Sequence, residues 1–327
     1  MSNNRPKEIH VKVPDALGDT VISTAVMAAL SNVIHQDSPP WDIHAYAKNP
    51  SLLEMCSLID VLHPISELPR DGYVSLDKYL DKQPHTTPPF IPLPWCMIDE
   101  AESKLQERGL DLKLDHYFKP EIILHDEELR KSDEELRGLK QMYGKNVVWI
   151  STKTSSPNKE WPGEYWKEVI AATGNKFTFL ELLAPEQEPV DEKVVEGRYG
   201  LRETLAVIAA ADRGITLDTF TLHAAGALQH YIPHQSVIAI LGSSNPAVVS
   251  YRGFIDLFEK SELTEKCQPC GNHGYFSGGK LRELERQLGV PFHDCSRCTF
   301  LEGSKDEYAC MKQVTPGMVI DELLGLE

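Results

Sequence analysis

Short apolar runs alternate along the chain with stretches whose apolar positions recur every three or four residues. This is the pattern of parallel strands joined by helices that cover a sheet. The runs IHVKV (9–13), DIHAYA (42–47) and IDVLHPI (59–65) predict strands. Ile22, Ala25, Val26, Ala29, Leu30 and Val33 share one helical face within 18–35, and a second helix is predicted at 97–109. Residues 66–96, with TTPPFIPLP, are loop-rich and proline-punctuated and suit a binding loop. A charged helical stretch, DEELRKSDEELRGLKQMYG, leads to NVVWIST (146–152), where a second strand series begins. It continues at 176–182, 213–218 and 236–242, with helices at about 163–173, 201–211 and 221–229. The reading is α/β, two doubly wound domains over 1–145 and 146–261, followed by 262–327 as a cysteine-rich tail ending in a C-terminal helix.

Composition narrows the class. A chain of 327 residues that is 41% hydrophobic has enough material for two cores. Its 49 acids against 33 Lys and Arg give a formal charge of -16, which repels nucleic acid and anionic lipid, and no basic run offsets it. Neither nucleic acid nor stable membrane insertion is expected. MSNNRPKEIH contains no apolar signal region, so a cytoplasmic location is expected and the seven cysteines are expected to be thiols.

Candidate chemistry gathers where strands hand over to helices. Asp19, in VPDALGDTVISTAVMAAL, stands at such a point. As an N-cap it would only bond first-turn amides; facing the crevice at the carboxyl ends of the strands, it would serve as a general base. In STKTSSPNKEWPGEYW (151–166), Thr154, Ser155 and Lys159 offer hydroxyls and a point charge to a phosphate. The bland reading is an ordinary Ser/Thr-rich turn with a solvated lysine. GITLDTFTLHAAGAL (214–228) places Asp218 and Thr219 at another strand end, with His223 one turn into the helix, and ILGSSNPAVV (240–249) adds Gly242 and Ser243. A lone helical histidine is usually structural, but three such turns in one half suggest a nucleotide diphosphate site.

The ordered set resembles a known family. LGDTVISTAVMAAL, KEWPGEYW, GLRETLAVIAAADRGITLDTFTLHAAGAL and GSSNP are similar to motifs of glycosyltransferase family 9, the ADP-heptose glycosyltransferases, in order along nearly the whole chain. The resemblance implies a GT-B fold of two Rossmann-like domains facing a cleft, the first on the acceptor side and the second holding the nucleotide sugar. It implies inverting transfer without a catalytic metal, with heptose, the family's commonest sugar, moved from an ADP-sugar to a glycan, lipid-linked or protein hydroxyl. Asp19 takes the general-base position; Thr154, Ser155 and Lys159 take phosphate-binding positions; Asp218, Thr219, His223, Gly242 and Ser243 surround the nucleotide. Phe220 stands where the family has glycine, and residues 229–236 lengthen a helix-to-strand turn.

Five of the seven cysteines fall between Cys267 and Cys310, in CQPC, CSRC and YACMKQ. Paired C-x2-C units suggest a tetrahedral thiolate site for structural zinc or iron; the bland alternative is a set of uncoordinated thiols. The spacing from Cys298 to Cys310 resembles the closing half of the four-cysteine iron motif of heptosyltransferases that modify autotransporters. That resemblance selects Cys267, Cys270, Cys298 and Cys310 as ligands and leaves Cys295 spare. Other classes compatible with these residues are a non-catalytic sugar-nucleotide or glycan-binding relative, kept open by Phe220, and a sugar-nucleotide epimerase on the same fold. A homo-oligomer is compatible with all three.

Overall fold

The computed structural model describes residues 7–34, 41–82, 88–233, 235–265, 267–270 and 306–325. These fall into two compact units, one drawn from 7–82 and 91–123, the other from 88–90 and 124–325.

In the first unit, β1 (Lys7–Lys12), β2 (Trp41–Ala47), β3 (Val61–Pro64) and β4 (Tyr73–Ser75) form a parallel sheet of order β3-β2-β1-β4. β1 alternates buried Ile9 and Val11 with half-buried His10 and Lys12, so its two faces meet different surroundings. The predicted helix 18–35 is two elements, α1 (Leu17–Ile22) and α2 (Thr24–Ile34), divided at Ser23, whose hydroxyl donates to the Thr20 carbonyl at 2.7 Å. Residues Leu17–Ile34 have the length and apolarity of a membrane span, yet 67% of the stretch is buried inside the fold. It is core helix. α3 (Leu93–Glu107) packs on α2 and β4 and starts four residues before the position expected.

The second unit is built on a six-stranded parallel sheet of order β10-β9-β8-β5-β6-β7. Its strands are β5 (Asn146–Ile150), β6 (Phe177–Leu182), β7 (Val195–Gly197), β8 (Arg213–Leu217), β9 (Val237–Ile240) and β10 (Ile255–Leu257). β5 and β9 are nearly continuous apolar runs because helices cover both faces of a central parallel strand. The helices are α4 (Asp126–Tyr143), α5 (Gly163–Thr173), α6 (Leu201–Ala210), α7 (Phe220–Ala227), the one-turn α8 (Pro246–Val249) and α9 (Pro316–Gly325).

Two boundaries differ from expectation. The division falls at 123/124 and not near 145, because α4 packs against α6, where Arg202 pairs with Glu128 at 2.6 Å. Gly144, at φ 66, ends α4 in the left-handed region that glycine tolerates. The tail expected over 262–327 also loses its last helix to the second unit. Val319 and Leu323 of α9 are fully buried with Trp166 and Ile170, Trp161 donates its indole N–H to the Val314 carbonyl at 2.8 Å, and Arg213 donates to the Leu323 carbonyl at 2.6 Å.

Candidate functional site

Asp19 lies in the first turn of α1, three residues after the N-cap, Ala16. It is therefore not the cap. Its Oδ1 accepts a hydrogen bond of 2.8 Å from the hydroxyl of Tyr79, a residue 2% exposed in the helical turn Tyr79–Lys82. The carboxylate is half-buried, and the phenol fixes its direction. Tyr79 was missed as a partner, although it sits in the 66–96 stretch read as a binding loop.

The second unit brings Lys159, Asp218 and His223 together at the carboxyl ends of β5 and β8. Asp218 lies at the centre. Its Oδ2 is 3.7 Å from Lys159 Nζ and its Oδ1 is 3.7 Å from His223 Nε2, with side-chain exposures of 11% for Lys159, 7% for Asp218 and 6% for His223. Ser244 donates a short hydrogen bond to Oδ2 of the same carboxylate. Burial, against the pull of Asp218 and aided by the Lys159 charge, lowers the His223 pKa to about 4, so the ring is neutral near pH 7. Its Nδ1 pairs with the Tyr251 hydroxyl at 3.0 Å, and its Nε2 faces Asp218. His223 is thus a neutral ring braced between a phenol and a carboxylate.

The remaining predicted residues divide. The Thr154 hydroxyl is engaged in its own turn, donating to the Ser156 carbonyl at 2.7 Å and accepting from the Ser156 amide at 3.1 Å. Ser155 is exposed. Thr219 is the N-cap of α7 and makes no side-chain cap bond, so the amides of Phe220 and Thr221 have no acceptor inside the helix. Gly242 has a packing reason to be glycine: a Cβ there would lie 2.5 Å from Met311 Sδ and 3.0 Å from the Cys310 carbonyl carbon. Ser243 is 1% exposed and its hydroxyl has no partner among the described residues. Such a group is expensive to bury unless something else bonds it. A cavity of about 260 Å³ adjoins the 152–163 segment that carries Lys159, lined by Thr152, Lys153, Pro157, Glu160, Trp161 and Met311 among others. Ser244 was within the quoted GSSNP; Tyr251 had no signal in the sequence.

Of the cysteines, Cys267, Cys270 and Cys310 are half-buried, while Cys295 and Cys298 lie outside the described residues. Among the described residues no three His, Cys, Asp or Glu side chains are placed to hold a metal ion. The three described thiols do not make a site by themselves.

Residues 100–274 match the model of glycosyltransferase family 9 (heptosyltransferase). No curated protein matches the sequence. Among solved structures, the chain is similar to the dodecameric iron-containing heptosyltransferase TibC of enterotoxigenic E. coli, crystallised with ADP-D-beta-D-heptose. That match has a TM-score of 0.62 at 14% identity, over 99% of this chain and 76% of that one. It is similar also to the ADP-heptose LPS heptosyltransferase II of E. coli, with a TM-score of 0.59 at 13% identity, over 98% of each chain. A family 9 glycosyltransferase from Veillonella parvula gives 0.55 at 16% identity, over 86% of this chain and 97% of that one. These likenesses show the fold: α/β units with parallel sheets, as in GT-B-like glycosyltransferases.

Proposed function

The chain belongs to glycosyltransferase family 9 and is a glycosyltransferase, and we propose that it transfers heptose from ADP-heptose to an acceptor hydroxyl with inversion, in the cytoplasm. The observation that carries this reading is the buried Lys159–Asp218–His223 cluster, set at strand ends beside the first-turn amides of α7 and the Ser243 hydroxyl, which has no partner among the described residues. Lysine and helix-end amides suit a diphosphate; a buried neutral histidine and a carboxylate suit hydroxyl groups.

In this mechanism the Asp19 carboxylate takes the proton of the acceptor hydroxyl as its oxygen attacks the anomeric carbon. The bond from that carbon to the diphosphate oxygen breaks, and its electron pair leaves with ADP. Lys159 and the α7 amides stabilise the charge that develops on the departing diphosphate. Asp218 holds Lys159 in place until the donor arrives, so its role is positioning. Acceptors consistent with this chemistry are glycan, lipid-linked and protein hydroxyls.

The test is calorimetry with ADP-heptose and with ADP. Lys159→Ala should weaken both by a similar factor, about 10-fold or more, since a charge-assisted phosphate contact is worth about 1.5–3 kcal/mol. Loss for ADP-heptose alone would move Lys159 to the sugar, and unchanged affinity for both would overturn the assignment. Binding without turnover would favour the non-catalytic alternative, which Phe220, half-buried at the first position of α7, keeps in view.

We also propose structural zinc or iron on Cys267, Cys270, Cys298 and Cys310. The support is the thiolate chemistry and the clustering of cysteines in the sequence. The position of Cys298 decides the site, since the other three do not converge among the described residues. An all-thiolate site leaves no position for substrate, so the metal would hold the tail and take no part in transfer.

A further inference from the structure

The sheet of the first unit carries a band of imidazoles on one face, apart from every residue assigned above. Parallel register sets His10 beside His44 and Tyr46 beside His63, while the other face carries buried Ile9, Val11, Ile43 and Ala45. The rings stack across the strands. His10 and His44 have centroids 4.9 Å apart, His44 and His63 5.3 Å at 16°, and Tyr46 and His63 4.5 Å at 8°. The Glu8 carboxylate is 3.2 Å from His10 Nε2, and the Glu67 carboxylate is 3.1 Å from His63 Nδ1.

The pair in the middle has the chemistry of a metal edge. His44 Nδ1 and His63 Nε2 face each other at 3.1 Å. Two imidazole nitrogens on one tetrahedral ion, with metal–nitrogen bonds of about 2.0–2.1 Å, stand about 3.3 Å apart. The pair therefore needs to open by only about 0.2 Å, given that ideal separation. His63 also has its far nitrogen on a carboxylate, the arrangement that orients metal-bound histidines and raises their basicity.

We propose that His44 Nδ1 and His63 Nε2 form a binding edge for one imidazole-preferring divalent ion, nickel, copper or zinc, with Glu67 orienting His63 and water completing the coordination. Among the described residues no third ligating side chain converges there. The site is therefore a two-histidine, exchangeable one, unlike the tetrathiolate proposed for the tail. On binding, the proton held between the two rings leaves the contact: neutral His44 carries it on Nε2 instead of Nδ1, and His63 keeps its Nδ1 proton on Glu67. Thiolate sites favour zinc and iron, and imidazole pairs accept nickel, so nickel is the discriminating probe.

The experiment is calorimetric titration of untagged, full-length protein with nickel chloride at pH 7.5, any metal already held by the tail left in place. One site per chain is expected, weakened at least 10-fold by His44→Phe or His63→Phe, each of which keeps a ring in the stack. Glu67→Gln should weaken it about 10-fold or more through loss of the carboxylate that holds His63 Nδ1. That side chain is 60% exposed, so its replacement leaves the fold intact and separates loss of binding from loss of structure. Paramagnetic broadening by nickel should fall first on the His44 and His63 ring signals. Nickel affinity unchanged in His44→Phe and in Glu67→Gln would reduce the pair to a hydrogen bond and overturn the proposal.

Discussion

At the scale of single residues, Asp19 illustrates what spacing can and cannot foretell. Asp19 was legible because a strand-to-helix turn with a lone acid is a short pattern, but its partner is 60 residues away in sequence. The cap reading is removed by geometry, which places Asp19 past the N-cap and in the hold of Tyr79. Asp19→Asn should therefore leave stability nearly unchanged while turnover falls about 10²-fold or more, the worth of a general base. Tyr79→Phe should cost less, since the carboxylate keeps its charge and loses only orientation. Steady-state kinetics beside a denaturation curve read both effects, and near-normal turnover in the Asn variant would remove Asp19 from catalysis. His223 yields a prediction of a different kind. Its pKa is ordinarily 6.5 and is about 4 in the fold, so the unfolded chain binds the extra proton between those values. Stability is unaffected by this group above pH 6.5, declines as pH falls toward 4, and levels off below. Over that window the loss amounts to about 3 kcal/mol. His223→Gln removes the titration, so its denaturation midpoint should fall less than the wild type's between pH 7 and pH 4.5. Equal declines would show that His223 is not buried neutral.

Elements were legible in proportion to their length and periodicity. α5, with 11 residues, falls where the apolar spacing put it, and α4, with 18, coincides with the charged helical stretch. β4, β7 and β10, of three residues each, were not foreseen, because three residues carry no alternation to read. The break between α1 and α2 was also hidden, since the apolar face continues across Ser23 and only a side-chain bond to the preceding turn marks the division. α9 was visible as a helix but its place was not: nothing local in PGMVIDELLG says which core will take Val319 and Leu323. Gly242 teaches the same lesson from the other side. A glycine in a hydroxyl-rich turn reads as room for a phosphate, yet here the room is taken by the backbone of Cys310 and the sulfur of Met311. The packing of α9 is open to direct test. Leu323 is fully buried in a cluster with Trp166 and Ile170, so Leu323→Ala should destabilise the second unit by about 2–5 kcal/mol through lost transfer energy and the cavity left behind. A denaturant midpoint within error of the wild type would show that α9 is not docked in solution.

For the whole molecule, the order of motifs said more than any of them, because two strand series with acids and hydroxyls at their carboxyl ends leave few alternatives to a pair of parallel sheets. Where the chain divides was less legible. A charged helix between two domains belongs to whichever packs its narrow apolar stripe, and only the contact of α4 with α6 settles that. The tail is where sequence chemistry and described structure stand furthest apart, and it is open to a decisive measurement. Four thiolates repel one another strongly unless a cation neutralises them, so a tetrathiolate tail should fold only with its metal, and metal loss should register as unfolding of that segment. The backbone of Cys310 rests against Gly242, at the end of β9 and beside Ser243 and Ser244. Removal of the metal should therefore loosen the turn at 242–244 as well as the tail, while α2, in the core of the first unit, stays protected. Elemental analysis of protein grown without added metal should find about one zinc or iron per chain. Hydrogen exchange after chelation should quicken in the segments holding Cys267, Cys270 and Cys310 and in residues 242–244, and remain slow across α2. Replacing Cys295 should leave the metal content unchanged, whereas Cys310→Ser should abolish it. Full metal retention in Cys310→Ser would transfer the fourth ligand to Cys295, and protein that carries neither zinc nor iron would leave the cysteines as ordinary thiols.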